Sequence, residues 1–232
     1  MAITYTAAGT EVATTTTALA MSAPAALSGD ILFAVIYSNN NTAVVSPTGW
    51  TTLYDTANTA AMQTYLAWKR AGVNDSLAEF TWTVAGTTVS FGVIVGYRGA
   101  VDSGNPIGAK TISGNASADD VTFATLDPHG LNHIVAFGTY ADDATTSGTF
   151  SGTNPTMTER VDVETATGAD ASLFVWDGPI LTLAATGART LSTASTTDAV
   201  NQGILVELMA YRAFAGGSSD NVPYPKVRRS RI

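Results

Sequence analysis

The chain has 232 residues and a formal net charge of −8, with 45% hydrophobic and only 13% charged residues. Ala (37) and Thr (36) make up nearly a third of it, beside 21 Gly, 8 Pro, 20 aromatic residues and no Cys. These figures exclude disulfide scaffolds, thiolate metal sites and Cys nucleophiles. They also exclude collagen, coiled coil and bulk disorder.

Met1-Ala-Ile-Thr-Tyr5 has neither a basic nor an apolar region of a secretory leader. The reading is a product made and kept in a cytoplasm. No run of 18 apolar residues exists, so no membrane helix is expected. Ile31 to Tyr37 is a continuous apolar run between Ser28-Gly29-Asp30 and Asn39-Asn40-Asn41, which predicts a buried strand. Glu79 to Val84 alternates, with Phe80, Trp82 and Val84 on one face. Met157 to Glu164 also alternates, placing Met157, Glu159, Val161 and Val163 together and turning Arg160 and Asp162 outward. Gln63–Arg70, Val89–Arg98, Asn132–Tyr140, Ala171–Trp176 and Gly203–Arg212 add runs rich in β-branched and aromatic residues. The apolar positions of 203–215 fit a helix or a buried strand equally. Gly/Asn/Asp/Ser/Pro clusters at 46–49, 72–75, 102–106, 127–130 and 152–155 separate the runs.

This pattern predicts an all-β protein, an antiparallel β-sandwich of jelly-roll-like kind, over residues 1–215. Elements of like type recur at an offset of about 105 residues, giving pseudo-repeated halves at about 28–100 and 131–213. One sandwich is preferred to two domains, since a half of about 100 residues with few large side chains has a thin core.

The charge is uneven. Residues 216–232 hold Lys226, Arg228, Arg229 and Arg231 against Asp220, a balance of +3; the preceding 7 basic and 18 acidic residues give −11. The acidic body disfavours nucleic acid and anionic membranes. Gly216-Gly-Ser-Ser is a linker composition, and Val222-Pro-Tyr224-Pro favours extended chain. Residues 216–232 are therefore read as a basic C-terminal arm whose Tyr224, Lys226, Arg228, Arg229 and Arg231 bind an acidic partner, an identical subunit among the choices.

Ser28-Gly29-Asp30-Ile-Leu-Phe-Ala, Pro47-Thr-Gly49-Trp50-Thr-Thr-Leu53, Trp68-Lys-Arg-Ala-Gly72, Tyr97-Arg98-Gly99 and Met157-Thr-Glu-Arg160 span about residues 28–213. Together they resemble a β-sandwich module of tailed-phage virion proteins and bacterial surface proteins. The resemblance implies a structural and adhesive role with no catalytic residues. With no leader or attached enzyme in view, it favours the phage context: a non-enzymatic virion structural protein assembled in host cytoplasm. Head decoration or an accessory capsid role comes first, and a tail or fibre role or a glycan-binding adhesin comes next. Expected partners are identical copies and other capsid or tail proteins, with a surface glycan as a further option, and no cofactor.

Other chemistry is weakly signalled. His129 and His133 are the only histidines; no Gly-x-Ser-x-Gly elbow accompanies them, and their spacing on a turn is poor for zinc. Among the five glutamates, Glu159 and Glu207 are the carboxylates to weigh for glycoside hydrolysis. Glu207, inside an apolar run, is expected to be half-buried. Asp119-Asp120 and Asp142-Asp143 are oxygen-rich turns without a recognised Ca²⁺ spacing. Trp50, Tyr54, Tyr65 and Trp68 are read chiefly as core, with a sugar-stacking platform as the functional option.

Overall fold

A computed structural model describes residues 2–59, 62–86, 89–142, 146–167, 170–195 and 198–211. Among them are seventeen strands. The first half holds β1 (Thr4–Ala8), β2 (Val12–Thr14), β3 (Ala18–Ser22), β4 (Ile31–Ser38), β5 (Val44–Val45), β6 (Thr51–Ala57), β7 (Gln63–Arg70), β8 (Glu79–Val84) and β9 (Ser90–Arg98). The second holds β10 (Ile107–Ala118), β11 (Val121–Phe123), β12 (His133–Tyr140), β13 (Thr146–Phe150), β14 (Thr158–Thr165), β15 (Ala171–Pro179), β16 (Arg189–Thr193) and β17 (Ala199–Leu208).

The all-β antiparallel architecture is the one expected, built as four sheets. A large sheet runs β1-β9-β4-β7-β6, with β2 also on β9, and a small one runs β3-β8-β5. The second half has a matching order, β10-β17-β12-β15-β14 and β11-β16-β13: β10 takes the place that β1 and β2 share on β9, and every other strand number is raised by eight. The large sheets face each other and each small sheet covers an outer side.

Sequence explains the stacking. Ile31, Phe33, Val35 and Tyr37 enter the central core, while Leu32, Ala34 and Ile36 pack with Leu19, Met21 and Trp82 of the first small sheet. Val135 and Phe137 likewise face the centre, and Ile134 and Ala136 join Phe123 and Leu191 under the second small sheet. A strand apolar on both faces needs a layer on each. The central seam is closed by Phe33 against Phe137, ring centroids 5.3 Å apart, and by Thr64 and Thr139, whose hydroxyls lie 2.6 Å apart in a buried hydrogen bond.

One local reading is corrected and one open reading is resolved. The register shifts between Glu159 and Val161, a bulge that turns Glu159 out to solvent and brings Arg160 toward the core edge. The ambiguous run near 203 is strand, from Ala199 to Leu208, and it pairs with both β10 and β12. The arm residues Tyr224, Lys226, Arg228, Arg229 and Arg231 lie outside the described residues.

Pairing fixes the placement of the loops. Ile31 lies level with Arg70 and Tyr97, and His133 with Pro179 and Leu208. The Tyr97 and His133 rings are 6.1 Å apart, so these levels coincide. Loops 23–30, 71–78, 99–106, 124–132 and 180–188 and the exit 209–211 therefore share one end, called here the loop end.

Phe33→Ala removes the ring that closes the seam. The expected cost is about 3–5 kcal/mol, read from denaturant unfolding.

Candidate functional site at the loop end

The exposed large apolar side chains are concentrated here. Leu27, Val73, Leu77, Leu131, Leu181 and Leu183 are between 53% and 81% exposed, and Tyr211 is 39% exposed. All seven sit on loop-end segments. Only Val45, on the edge strand β5, lies elsewhere among the described residues. Segments at the opposite end, such as Asn39-Asn-Asn-Thr42 and Ala166-Thr167, carry small and polar residues instead.

The loops are tied down. Ala23 N–H donates to Ala78 O at 2.8 Å, Leu77 N–H to Pro24 O at 3.4 Å, and Ala26 N–H to Ser76 Oγ at 3.3 Å, zipping two loops together. Leu77 holds a φ of 59°, a left-handed conformation that costs a bulky residue about 1–2 kcal/mol. The halves are stitched by the Ala100–Ala210 bridge, by Val101 N–H to Met209 O at 3.0 Å and by Tyr211 N–H to Gly99 O at 2.9 Å. Two clefts flank this stitch. One, of about 440 Å³, is lined by Val101, Asp102, Asn105, His129, Asn132 and Tyr211 among others. The other, of about 310 Å³, runs past Leu27, Asp30, Arg98 and Tyr211.

Three polar groups buried under the loops hold them in place. Asp30 accepts from Arg98 Nε at 2.9 Å and Nη2 at 2.8 Å, and from Leu27 N–H at 2.8 Å. Two motif residues far apart in sequence thus meet where β4 starts and β9 ends. Asp30 also fixes the turn that presents Leu27.

Glu207 is the second group, and it is fully buried, not half-buried as expected. Its carboxylate accepts from Ala109 N–H at 2.9 Å, His129 N–H at 2.9 and 3.0 Å, Gly130 N–H at 3.2 Å and Asn132 Nδ2 at 2.6 Å. Gly108 leaves the room: a Cβ there would overlap the carboxylate. The His129 imidazole is mostly exposed, with Nδ1 3.7 Å from Glu207 Oε2. Dipoles rather than a paired cation hold this charge, and they lock loop 124–132 onto β10 and β17.

The third group crosses the seam. Arg160 donates to Asp177 Oδ1 at 3.0 Å from Nε and 2.9 Å from Nη2, and lies over the Tyr5 ring at 5.1 Å. His133 Nε2 is 3.6 Å from Asp177 Oδ2, and Tyr97 meets both Tyr5 and Phe33 edge-on. Burial pushes the Asp177 carboxyl up, but the pull of His133 and Arg160 outweighs it and leaves it below its ordinary value. Burial, reinforced by Asp177, holds the Tyr97 phenol well above its ordinary value. Four elements, β1 and β9 of one half and β14 and β15 of the other, are joined beside β12. The outward reading of Arg160 missed this, because the bulge that aims it inward has no signal in the alternation.

The other candidates fall as follows. β14 and β17 stand three strand spacings apart, about 14 Å, wider than the carboxylate separation of glycoside hydrolases. Glu159 is exposed and Glu207 is enclosed by donors, so they share no cleft. Trp50 and Tyr65 are buried in the first outer core, and Tyr54 and Trp68 pack on the central one. Gly49, at φ 89°, makes the turn that sends Trp50 onto Phe80 and Trp82. Asp119 O and Asp120 Oδ1 both accept from Thr193, fixing a turn; Asp143 lies outside the described residues. Among the described residues no group of three metal-ligating side chains gathers. No family model, curated protein or solved structure matches the chain.

Glu207→Gln puts an amide donor against backbone donors and is expected to cost about 3 kcal/mol in denaturant unfolding. Asp177 sets a pH dependence. Its folded value is depressed, so its stabilisation is present above the ordinary carboxylate value of about 4 and lost as pH falls through the folded value. Asp177→Asn is expected to be less stable at pH 7 and to lose less stability than the wild type on acidification, measured by thermal melts from pH 7 to 2.

Proposed function

We propose that the chain is a non-enzymatic structural protein of a tailed-phage particle. It attaches through its loop end as a head decoration or accessory capsid protein, and its location is the virion. The observation that carries the attachment is the gathering of seven exposed apolar side chains on one braced end. Large apolar side chains held exposed at one end of a folded protein favour contact with a partner there. The phage context rests on the sequence resemblance, and the roles of the motif residues suit it. Trp50 fills a core, Asp30 and Arg98 tie two strands together, and Arg160 ties the halves, all of them structural tasks.

The mechanism is surface covering. Loops tied to one another by backbone hydrogen bonds present apolar groups, so docking there strips little water from charge. Identical copies and other capsid proteins are the partners. A tail or fibre position would use the same end and is told apart by where the protein sits on the particle.

Mass spectrometry and immunogold labelling of purified virions test this, and absence from the particle would sink it. Leu27→Ser with Leu131→Ser is expected to lower particle occupancy about tenfold or more while leaving the melting temperature within a few degrees. Leu77→Asn is the sharper variant. It relieves a left-handed leucine, so stability should rise by up to about 1 kcal/mol while occupancy falls.

A further inference from the structure

We infer that the loop end docks on a local twofold axis between two identical partner subunits, one copy of the chain to each pair. This rests on the reading of the loop end as the docking face and adds the symmetry of the partner.

The first argument is the arrangement of the two halves. β4 faces β12 and β9 faces β15 across the seam. At one flank Arg160 of β14 lies over the Tyr5 ring of β1. At the other, Lys110 of β10 lies 4.4 Å from the centre of the Tyr54 ring of β6, and Asn58 Nδ2, just past β6, donates to Asn115 O of β10 at 2.9 Å. The order β1-β9-β4-β7-β6 therefore lies over β14-β15-β12-β17-β10. β4 and β12 both start at the loop end. A half-turn about a line between them, along the strands, carries β4 to β12, β9 to β17, β7 to β15, β6 to β14 and β1 to β10. The axis leaves the molecule through the loop end, where the segments that follow the equivalent strands β9 and β17 meet in the Ala100–Ala210 bridge.

The second argument is that the exposed apolar groups obey this half-turn. The loop before β4 carries Leu27, and the loop before β12 carries Leu131. The loop after β7 carries Val73 and Leu77, and the loop after β15 carries Leu181 and Leu183. Each half thus holds out three large apolar side chains from loops at equivalent places in the fold. The two clefts beside the bridge keep the same relation. One passes Asp30 and the other Asn132, each the residue before its central strand.

The third argument is the demand that such a face makes. A patch on a single asymmetric subunit complements one half and leaves the other against unrelated surface. Two identical subunits about a dyad offer the same patch twice, related by the same half-turn. Once one half has docked, the second docks intramolecularly, so two modest contacts act as one strong one.

The test images virions by cryo-electron microscopy and counts copies by quantitative mass spectrometry with labelled peptides. The expected result is density on a local twofold axis, loop end inward, with one copy for every two partner subunits. Leu27→Ser and Leu131→Ser, made singly, are each expected to lower occupancy about threefold, the two effects multiplying in the double variant. A position on a threefold, fivefold or sixfold axis, or on one subunit away from any axis, overturns the inference and leaves the docking reading standing. So does a whole loss from one single variant with none from the other. A dimer of the free protein in light scattering that the double variant abolishes also overturns it, assigning the face to a second copy. Absence from the particle is a different result: it sinks the docking reading, and the inference with it.

Discussion

The structure depends on one constraint: the central strands of both large sheets are apolar on both faces. A strand such as Ile31–Ser38, buried along its whole length, cannot stand at the surface of a two-layer sandwich. Each half therefore needs an outer small sheet, and each large sheet needs the other. Thin cores that would be marginal alone share one central core, where Phe33, Phe137, Val95 and Val175 belong to a single cluster.

Two sheets packed with their central strands running the same way turn corresponding loops to the same end. Leu27 and Leu131 precede equivalent strands, and Leu77 and Leu181 follow equivalent strands, so leucines about a hundred residues apart in sequence are turned to the same end. A layer of buried polar groups lies beneath this end. Asp30, Glu207 and Asp177 are each buried, and each fastens a segment that carries or adjoins an apolar group. Buried charge is costly unless every lone pair finds a donor, and Glu207 meets that demand with backbone and amide dipoles alone. Such a carboxylate holds its loops stiffly, because moving any one of them strands a charge.

The surface chemistry follows from how the few cations are spent. With the six positive side chains of the described residues committed to internal pairs, rings and carbonyls, the surface of these residues is left mainly to carboxylates and threonine hydroxyls. The remaining positive charges of the sequence stand at 212 and in 226–231.

Much of this fold was legible in the sequence. Continuous apolar runs marked β4, β9, β12 and β17, strict alternation marked β8, and Gly/Asn/Asp/Pro clusters marked the turns, because a residue's burial on a pleated strand is written in its polarity. Strands without large side chains were not legible. β10, Ile107 to Ala118, is mostly Gly, Ala, Ser, Thr and Asn, and only its ladder to β17 shows it to be a strand. The sequence by itself thus determined the class, the core strands and the uneven charge along the chain, since composition and period act locally. Tertiary structure decided the rest: the four-layer stacking, the bulge that brings Arg160 to Asp177, the full burial of Glu207 and the gathering of seven apolar side chains at one end. Each of these depends on which segments lie side by side, and no local pattern carries that information.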